Sequence, residues 1–389
     1  MATLNETLET IRAEEASVQT LFGGDGARVR DRRRNPDYLR QLTEAATFIA
    51  EVGDGHRPVY HLREAMTTSD FPLLFADVLD RQLLAAYQET PAVWQAFCRR
   101  SVVPDFRSVK RFAIDGAEGV LDEVAERKEY PEHALSETED TYSVKKYGRR
   151  IDLSWETMIN DDLQAFTSGE MARRLARAAR RSEQKFATGL YVDSTGPHAS
   201  LYTVGFANIV TSNPALSIAG LQTAMQVLAA MVDVDGEPIF VDSVVLVVPP
   251  ALEITAQNIL HATQIIATDS GGSTNQTLWA QNWMQGRVRL VVDPYIPIVA
   301  SSSNGSTSWF LFTDPQVSRP ALEMGFLRGN EEPALYQRSP NARNISGGEV
   351  SESFEEDSIA YRVRHVFGGA RLTTTGGAKA TVASDGTWH

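Results

Sequence analysis

The sequence predicts an α+β fold, and three observations carry that expectation. Apolar residues recur at the 3.6-residue period in separate stretches, so long amphipathic helices are expected. Elsewhere lie short strand-like runs, among them the continuous apolar run Val241–Val248, which reads as a strand buried on both faces. The last structured part is a long strand-like segment, Ser358–Leu372. At 389 residues, 42% of them apolar, the chain can bury a sizeable core in roughly two or three compact units.

Residues 1–20 suggest a short amphipathic helix through Leu4, Leu8, Ile11 and Val18, broken at Gly23-Gly24-Asp25-Gly26. A basic run follows, with Arg28, Arg30, Arg32, Arg33, Arg34 and Arg40 against only Asp31 and Asp37. Such a cluster suits phosphate or an acidic neighbour, or serves as a solvated face. Asp54 to Pro58 reads as irregular. Phe71–Tyr87 reads as a helix, with Pro72 in its first turn and Leu74, Val78, Leu79, Leu83 and Tyr87 on one face.

Composition changes abruptly between Ala113 and Thr141. Asp115, Glu118, Asp122, Glu123, Glu126 and Glu129, followed by Glu132, Glu137, Glu139 and Asp140, face only Arg127 and Lys128. Alternating apolar residues flank the segment, Phe112/Ile114 before it and Tyr142/Val144 after it. The pattern reads as a long two-stranded protruding loop with an acidic distal part. A loop so long and charged has no core of its own and needs a neighbour.

Thr167 and Glu170 have capping-box spacing. The helix they open carries an apolar stripe of Met171, Leu175, Ala178, Ala179, Phe186 and Leu190. Arg173, Arg174, Arg177, Arg180 and Arg181 lie mostly on the complementary face. Short strands are expected at Leu201–Phe206 and Ile209–Thr211. A helix after Ser217 should bury Ile218, Leu221, Met225, Leu228 and Val232. A helix at Ala251–His261, an exposed loop at Thr268–Thr277, and strands at Val288–Val292 and Ser308–Phe312 complete an α/β unit. Strands at Glu323–Leu327 and Ala334–Arg338 come next, and residues 374–389 read as a loose polar tail.

Chemistry is mostly missing. No GxSxG, HExxH, Walker or GxGxxG pattern occurs, and the histidines are scattered, so no metal or cofactor is expected. Ser143/Lys146 and Ser182/Lys185 have SxxK spacing. The first pair falls on a strand, and the second lacks any further acylation motif. Cys98, the only cysteine, excludes an internal disulfide and reads as a core residue in the run Val93–Phe97. Met1 to Ile11 has no signal-peptide pattern, and Val244–Leu252 is far short of the roughly 18 residues of a membrane span. The chain therefore reads as cytoplasmic at synthesis, with no membrane partner. A net charge of −13 disfavours general nucleic-acid binding.

Three segments carry a family resemblance. Tyr142–Asp193 runs from a basic strand through an Asn160-Asp161-Asp162 break into the long helix. Met66–Phe112 places Asp70-Phe71-Pro72 before a helix, a Tyr at its end, a Trp, and then Pro104-Asp105-Phe106. The third is Phe354–Leu372, FEEDSIAYRVRHVFGGARL. Together they resemble the head subunits of Mu-like phages, within the tailed-phage major capsid proteins. That resemblance implies an N-terminal arm (1–70), the start of a peripheral domain (71–104), an extended loop (105–153) and a spine helix with more peripheral domain (154–212). An axial domain (213–320), a return to the peripheral domain (321–373) and a C-terminal tail (374–389) would follow.

The implied protein is not an enzyme. It would assemble with itself into hexamers and pentamers of an icosahedral virion shell, built in the host bacterial cytoplasm around non-specifically held double-stranded DNA. Scaffold, portal and decoration proteins are further candidate partners. The loop acids and the arginines of arm and helix become candidate subunit contacts. A bacterial nanocompartment shell shares the expected fold and is the first alternative; a cytoplasmic hydrolase is the second.

Overall fold

The computed structural model describes residues 36–53, 56–57, 71–115, 123–124, 126–129, 136–154, 170–232, 236, 239, 243–269, 276–301, 303–316, 320–338, 358–374 and 376–386. The structure is α+β, as expected. Helix α1, Pro36–Gly53, opens with proline in its first turn, where the missing N–H costs nothing. It buries Leu42, Ala45, Ala46 and Ile49 at helical spacing. The sequence reading placed no element here, because half of this stripe is alanine and the apolar contrast is weak. Helix α2 is Phe71–Glu89. Strands β1 (Arg99–Val103), β2 (Val109–Asp115), β3 (Ser136–Tyr142) and β4 (Val144–Ser154) lead to the 22-residue helix α3, Glu170–Tyr191.

Helix α4 (Ile218–Ala229) is capped by the Ser217 side chain, which accepts from the Gly220 N–H. Then come β5 (Val244–Val248), α5 (Glu253–His261), β6 (Gln264–Asp269), β7 (Gln276–Gln281), β8 (Val288–Val292) and β9 (Trp309–Thr313). Strands β10 (Leu322–Leu327), β11 (Ala334–Gln337), β12 (Ser358–Arg371) and β13 (Thr381–Ser384) follow.

The chain divides into two compact units. The first comprises Met1–Pro91, Lys146–Arg181 and Gly329–Val366. Its core sets Leu83, Ala86 and Tyr87 of α2 against Ala172, Leu175, Ala176 and Ala179 of α3, with Val363 of β12. Strand β11 pairs antiparallel with β12, from Ala334↔Arg364 to Gln337↔Tyr361. Asp80 of α2 accepts from the Leu335 N–H at 2.8 Å and so ties helix to strand.

The second unit comprises Ala92–Lys145, Ser182–Arg328 and Phe367–His389. A four-stranded sheet in the order β8-β5-β9-β13 forms its centre. Every residue of β5 and β9 is buried, which explains the unbroken apolar sequence of β5 and the apolar run Trp309–Phe312 in β9. Leu221, Ala224 and Leu228 of α4 and Ala256 and Leu260 of α5 close over Leu246, Val248, Trp309 and Leu311. Elsewhere in the unit β1 runs parallel to β10, and β10 pairs antiparallel with residues 367–371 of β12.

Several expectations need correction. Residues 381–384 are not part of a loose tail. They form β13, paired with β9 from Trp309↔Ser384 to Phe312↔Thr381 and wholly buried. Its polar side chains hid it, yet they are satisfied inside. The Thr381 hydroxyl donates to the Leu311 carbonyl at 2.8 Å, and the Ser384 hydroxyl to the Pro214 carbonyl at 2.8 Å.

Leu201–Phe206 is no strand. It ends in a 3₁₀ turn at Val204–Phe206, and Ile209 makes only a single bridge to Ala383. Buried Asn208 holds this segment by donating to the carbonyls of Leu201 and Ala378 while accepting from the Thr203 N–H. Val232 lies beyond the end of α4 and is 42% exposed. The supposed loop Thr268–Thr277 has paired ends, Thr268↔Thr277 and Asp269↔Gln276, in the β6–β7 hairpin.

Deleting residues 381–389 should therefore be severe. It uncovers the β9 edge and the core beneath Val382, a loss of more than about 4 kcal/mol when apolar burial and unmet backbone groups are combined. Circular-dichroism melting of the truncated chain should show a transition lowered by more than about 10 °C, or insoluble protein; an unchanged melt would restore the tail reading.

Candidate subunit-contact surfaces

Strands β2 and β3 form an antiparallel hairpin registered from Val109↔Tyr142 to Asp115↔Ser136. Alternation gives it two unlike faces. One carries Arg111, Asp140 and Tyr142, with Asp140 and Tyr142 buried. The other carries Lys110, Phe112, Glu137, Glu139 and Thr141, all exposed, and Phe112 keeps 61% of its surface in solvent. Lys110 Nζ pairs with Glu139 at 2.8 Å on that outer face. The Lys110 ammonium lies 6.0 Å from the Phe112 ring centroid on the same face.

The hairpin is held at its root. The Glu323 Oε1 atom accepts from Arg111 Nε at 2.6 Å, the Tyr142 hydroxyl at 2.6 Å and the Ser101 hydroxyl at 2.7 Å. Burial and the Glu323 carboxylate push the Tyr142 phenol up to about 12. Burial disfavours the Arg111 charge, but Glu323 and Tyr142 outweigh it and hold the guanidinium more firmly protonated than usual.

The candidate contact residues take up distinct positions. Asp115 closes β2. Glu123, Glu126 and Glu129 are exposed in the stretch between β2 and β3. Glu118, Asp122, Arg30, Arg32, Arg33 and Arg34 lie outside the described residues. On α3, Arg174, Arg177 and Arg181 are exposed and, at spacings of three and four, share one face. Arg173 and Arg180 are half-buried. Arg180 has an internal role: its guanidinium lies 3.6 Å from the Tyr87 ring centroid, and its Nε donates to the Tyr87 carbonyl at 3.0 Å. Its place next to Ala179 on the buried stripe was the available signal.

Sequence reasoning missed a buried polar cluster at the second half of α3. Asp293 is fully buried and accepts from Gln184 Nε2, the Thr188 hydroxyl, the Tyr191 hydroxyl and the Tyr295 N–H at 2.6–2.9 Å. Neighbouring Glu183, also fully buried, accepts from the Trp94 indole at 3.0 Å. Cys98 is buried, and burial together with the Asp293 charge pushes its thiol well above the ordinary value. Among the described residues no group of His, Cys, Asp and Glu is placed to hold a metal ion, and no helix is long and apolar enough to cross a membrane.

A family model described as phage capsid protein matches residues 138–380, more than half of the chain, from within β3 to the residue before β13. The chain belongs to this family. It is a capsid shell protein that self-associates, with its place in the virion and a structural role in place of a catalytic one. No curated protein sequence matches this capsid protein.

Solved structures similar to it include that of Microbacterium phage Oxtober96, at 13% identity over 75% of this chain and 90% of that one, TM-score 0.45. The holo-SrpI encapsulin complex from Synechococcus elongatus has 13% identity over 79% and 97%, TM-score 0.45. The virus-like particle from Pyrococcus furiosus has 11% identity over 80% and 99%, TM-score 0.43.

Proposed function

We propose that copies of this capsid protein close into the hexamers and pentamers of an icosahedral shell around double-stranded DNA, the hairpin of each copy lying on a neighbour. The observation that carries this reading is the outer face of β2–β3, which leaves Phe112 in solvent among the exposed charged residues Lys110, Glu137 and Glu139. A two-stranded hairpin is marginal alone, and a second surface over that face would stabilise it. Glu123, Glu126 and Glu129 supply negative charge, and the Arg174, Arg177 and Arg181 face of α3 offers the complement; Arg30–Arg34 of the arm is the alternative partner.

A net charge of −13 suits a lumen that holds DNA without gripping it. In this reading residues 213–320 act as the axial domain and residues 1–70 as an arm. Assembly takes place in the host bacterial cytoplasm, with scaffold, portal and decoration proteins as candidate partners. Particles purified from phage-producing cells and treated with nuclease should retain protected double-stranded DNA. Particles that enclose an enzyme and no nucleic acid would instead establish the nanocompartment.

A further inference from the structure

We propose that Glu323 is the positioning residue of the hairpin, clamping its root so that the face bearing Phe112 is presented to a second copy. The inference rests on the reading of that hairpin as a subunit contact. Four independent restraints converge on the root. The first is the charged cluster. One carboxylate oxygen takes Arg111 from β2, Tyr142 from β3 and Ser101 from β1 at 2.6–2.7 Å, so a single group on β10 holds both hairpin strands. The side chain of Glu323 is 3% exposed and that of Arg111 32%, so the pair is poorly screened by solvent.

The second restraint is steric. A Cβ on Gly325 would lie 2.6 Å from the Tyr142 ring and hydroxyl, so the ring seats directly on a bare backbone. The third lies just past the hairpin. A Cβ on Gly368 would meet the Ser143 carbonyl at 2.4 Å, so the chain leaving β3 runs tight against β12. The fourth is Asp140, buried on the inner face, which accepts from the Thr374 N–H at 3.0 Å.

Three of these restraints act on the face of Arg111, Asp140 and Tyr142, and the Gly368 contact fixes the chain just beyond it. Period-2 alternation then leaves Lys110, Phe112, Glu137 and Glu139 no choice but the opposite face. A free hinge at the root would let the hairpin sample many directions, and a shell contact would have to recover that lost freedom. The clamp removes the cost in advance.

The test uses the full-length chain with Glu323→Gln and Arg111→Met. Gly325→Ala keeps every charged group and presses on the Tyr142 ring and, at 2.9 Å, on a Val103 methyl, and Arg111→Lys serves as the conservative rescue. Hydrogen exchange of the unassembled subunit is read over 109–115 and 136–142, with 244–248 and 309–313 as the internal standard. Sedimentation and electron microscopy then read the assembled product.

The expected result for Glu323→Gln, Arg111→Met and Gly325→Ala is exchange at least about tenfold faster in the hairpin with the standard unchanged. Shells should be lost or heterogeneous in size, with partial recovery in Arg111→Lys. Hairpin exchange and shells both at wild-type level in Arg111→Met and Gly325→Ala would overturn the clamp. So would a loosened hairpin with uniform, full-yield shells. Failure of the wild-type chain to form shells would instead count against the underlying reading.

Discussion

Replacing Arg174, Arg177 and Arg181 together by Glu should abolish shell assembly while leaving the subunit folded. All three residues are exposed on one face of α3, outside the apolar stripe that packs into the core. Each exposed pair with a neighbour's acid contributes only about 0–1 kcal/mol, but reversal converts attraction to repulsion at three positions in every copy. A loss of about 1.4 kcal/mol at each interface is already a tenfold change in its equilibrium constant, and a closed shell multiplies it.

Thermal melts of the unassembled variant should match the wild type within about 2 °C, while sedimentation shifts from particles to subunits. High salt should weaken wild-type assembly in the same direction, because the Debye length falls to about 3 Å at 1 M. Reversing Glu123, Glu126 and Glu129 to Lys in the same chain should restore particles. Full-yield shells from the arginine reversal would remove α3 as the partner and leave the arm.

Asp293→Ala should produce the largest loss of stability of any single substitution in the second unit. Its carboxylate takes four donors, and three of them, from Gln184, Thr188 and Tyr191, belong to buried side chains. Each orphaned buried donor costs about 1–3 kcal/mol, so the loss is about 3–9 kcal/mol, or about 2–6 kcal/mol if Thr188 falls back on the Gln184 carbonyl it already shares. The melting transition should drop by roughly 10 °C or more. Asp293→Asn keeps the volume and part of the acceptor capacity, and should fall between the wild type and Asp293→Ala. A near-neutral Asp293→Ala would mean that the cluster is not a keystone of this core.

The parts of the fold legible in the sequence were those where one physical signal dominated. Helices α2, α3 and α4 declared themselves through periodic apolar residues, and β5 through an unbroken valine-rich run. The β2–β3 hairpin was visible because alternation bracketed an acidic stretch. What escaped notice depended on partners distant in sequence. Strand β13 reads as polar until the Pro214 and Leu311 carbonyls are seen to satisfy it.

The same limit applies to the candidate contacts. Asp293 and Glu323 carry no signal in the sequence, because their side-chain donors lie about a hundred or more residues earlier in the chain. Charge patterning could name five arginines on α3. It could not show that Arg180 is engaged by Tyr87, 93 residues away.

The central claim is that the hairpin of one copy completes the surface of the next in a closed shell. An electron cryomicroscopy reconstruction of particles assembled from the full chain tests it directly. The account predicts hexamers and pentamers in icosahedral order, with Phe112 covered and the acids of 123–129 beside arginines of a neighbouring copy. A shell in which the hairpin outer face stays in solvent and touches no second copy would contradict it.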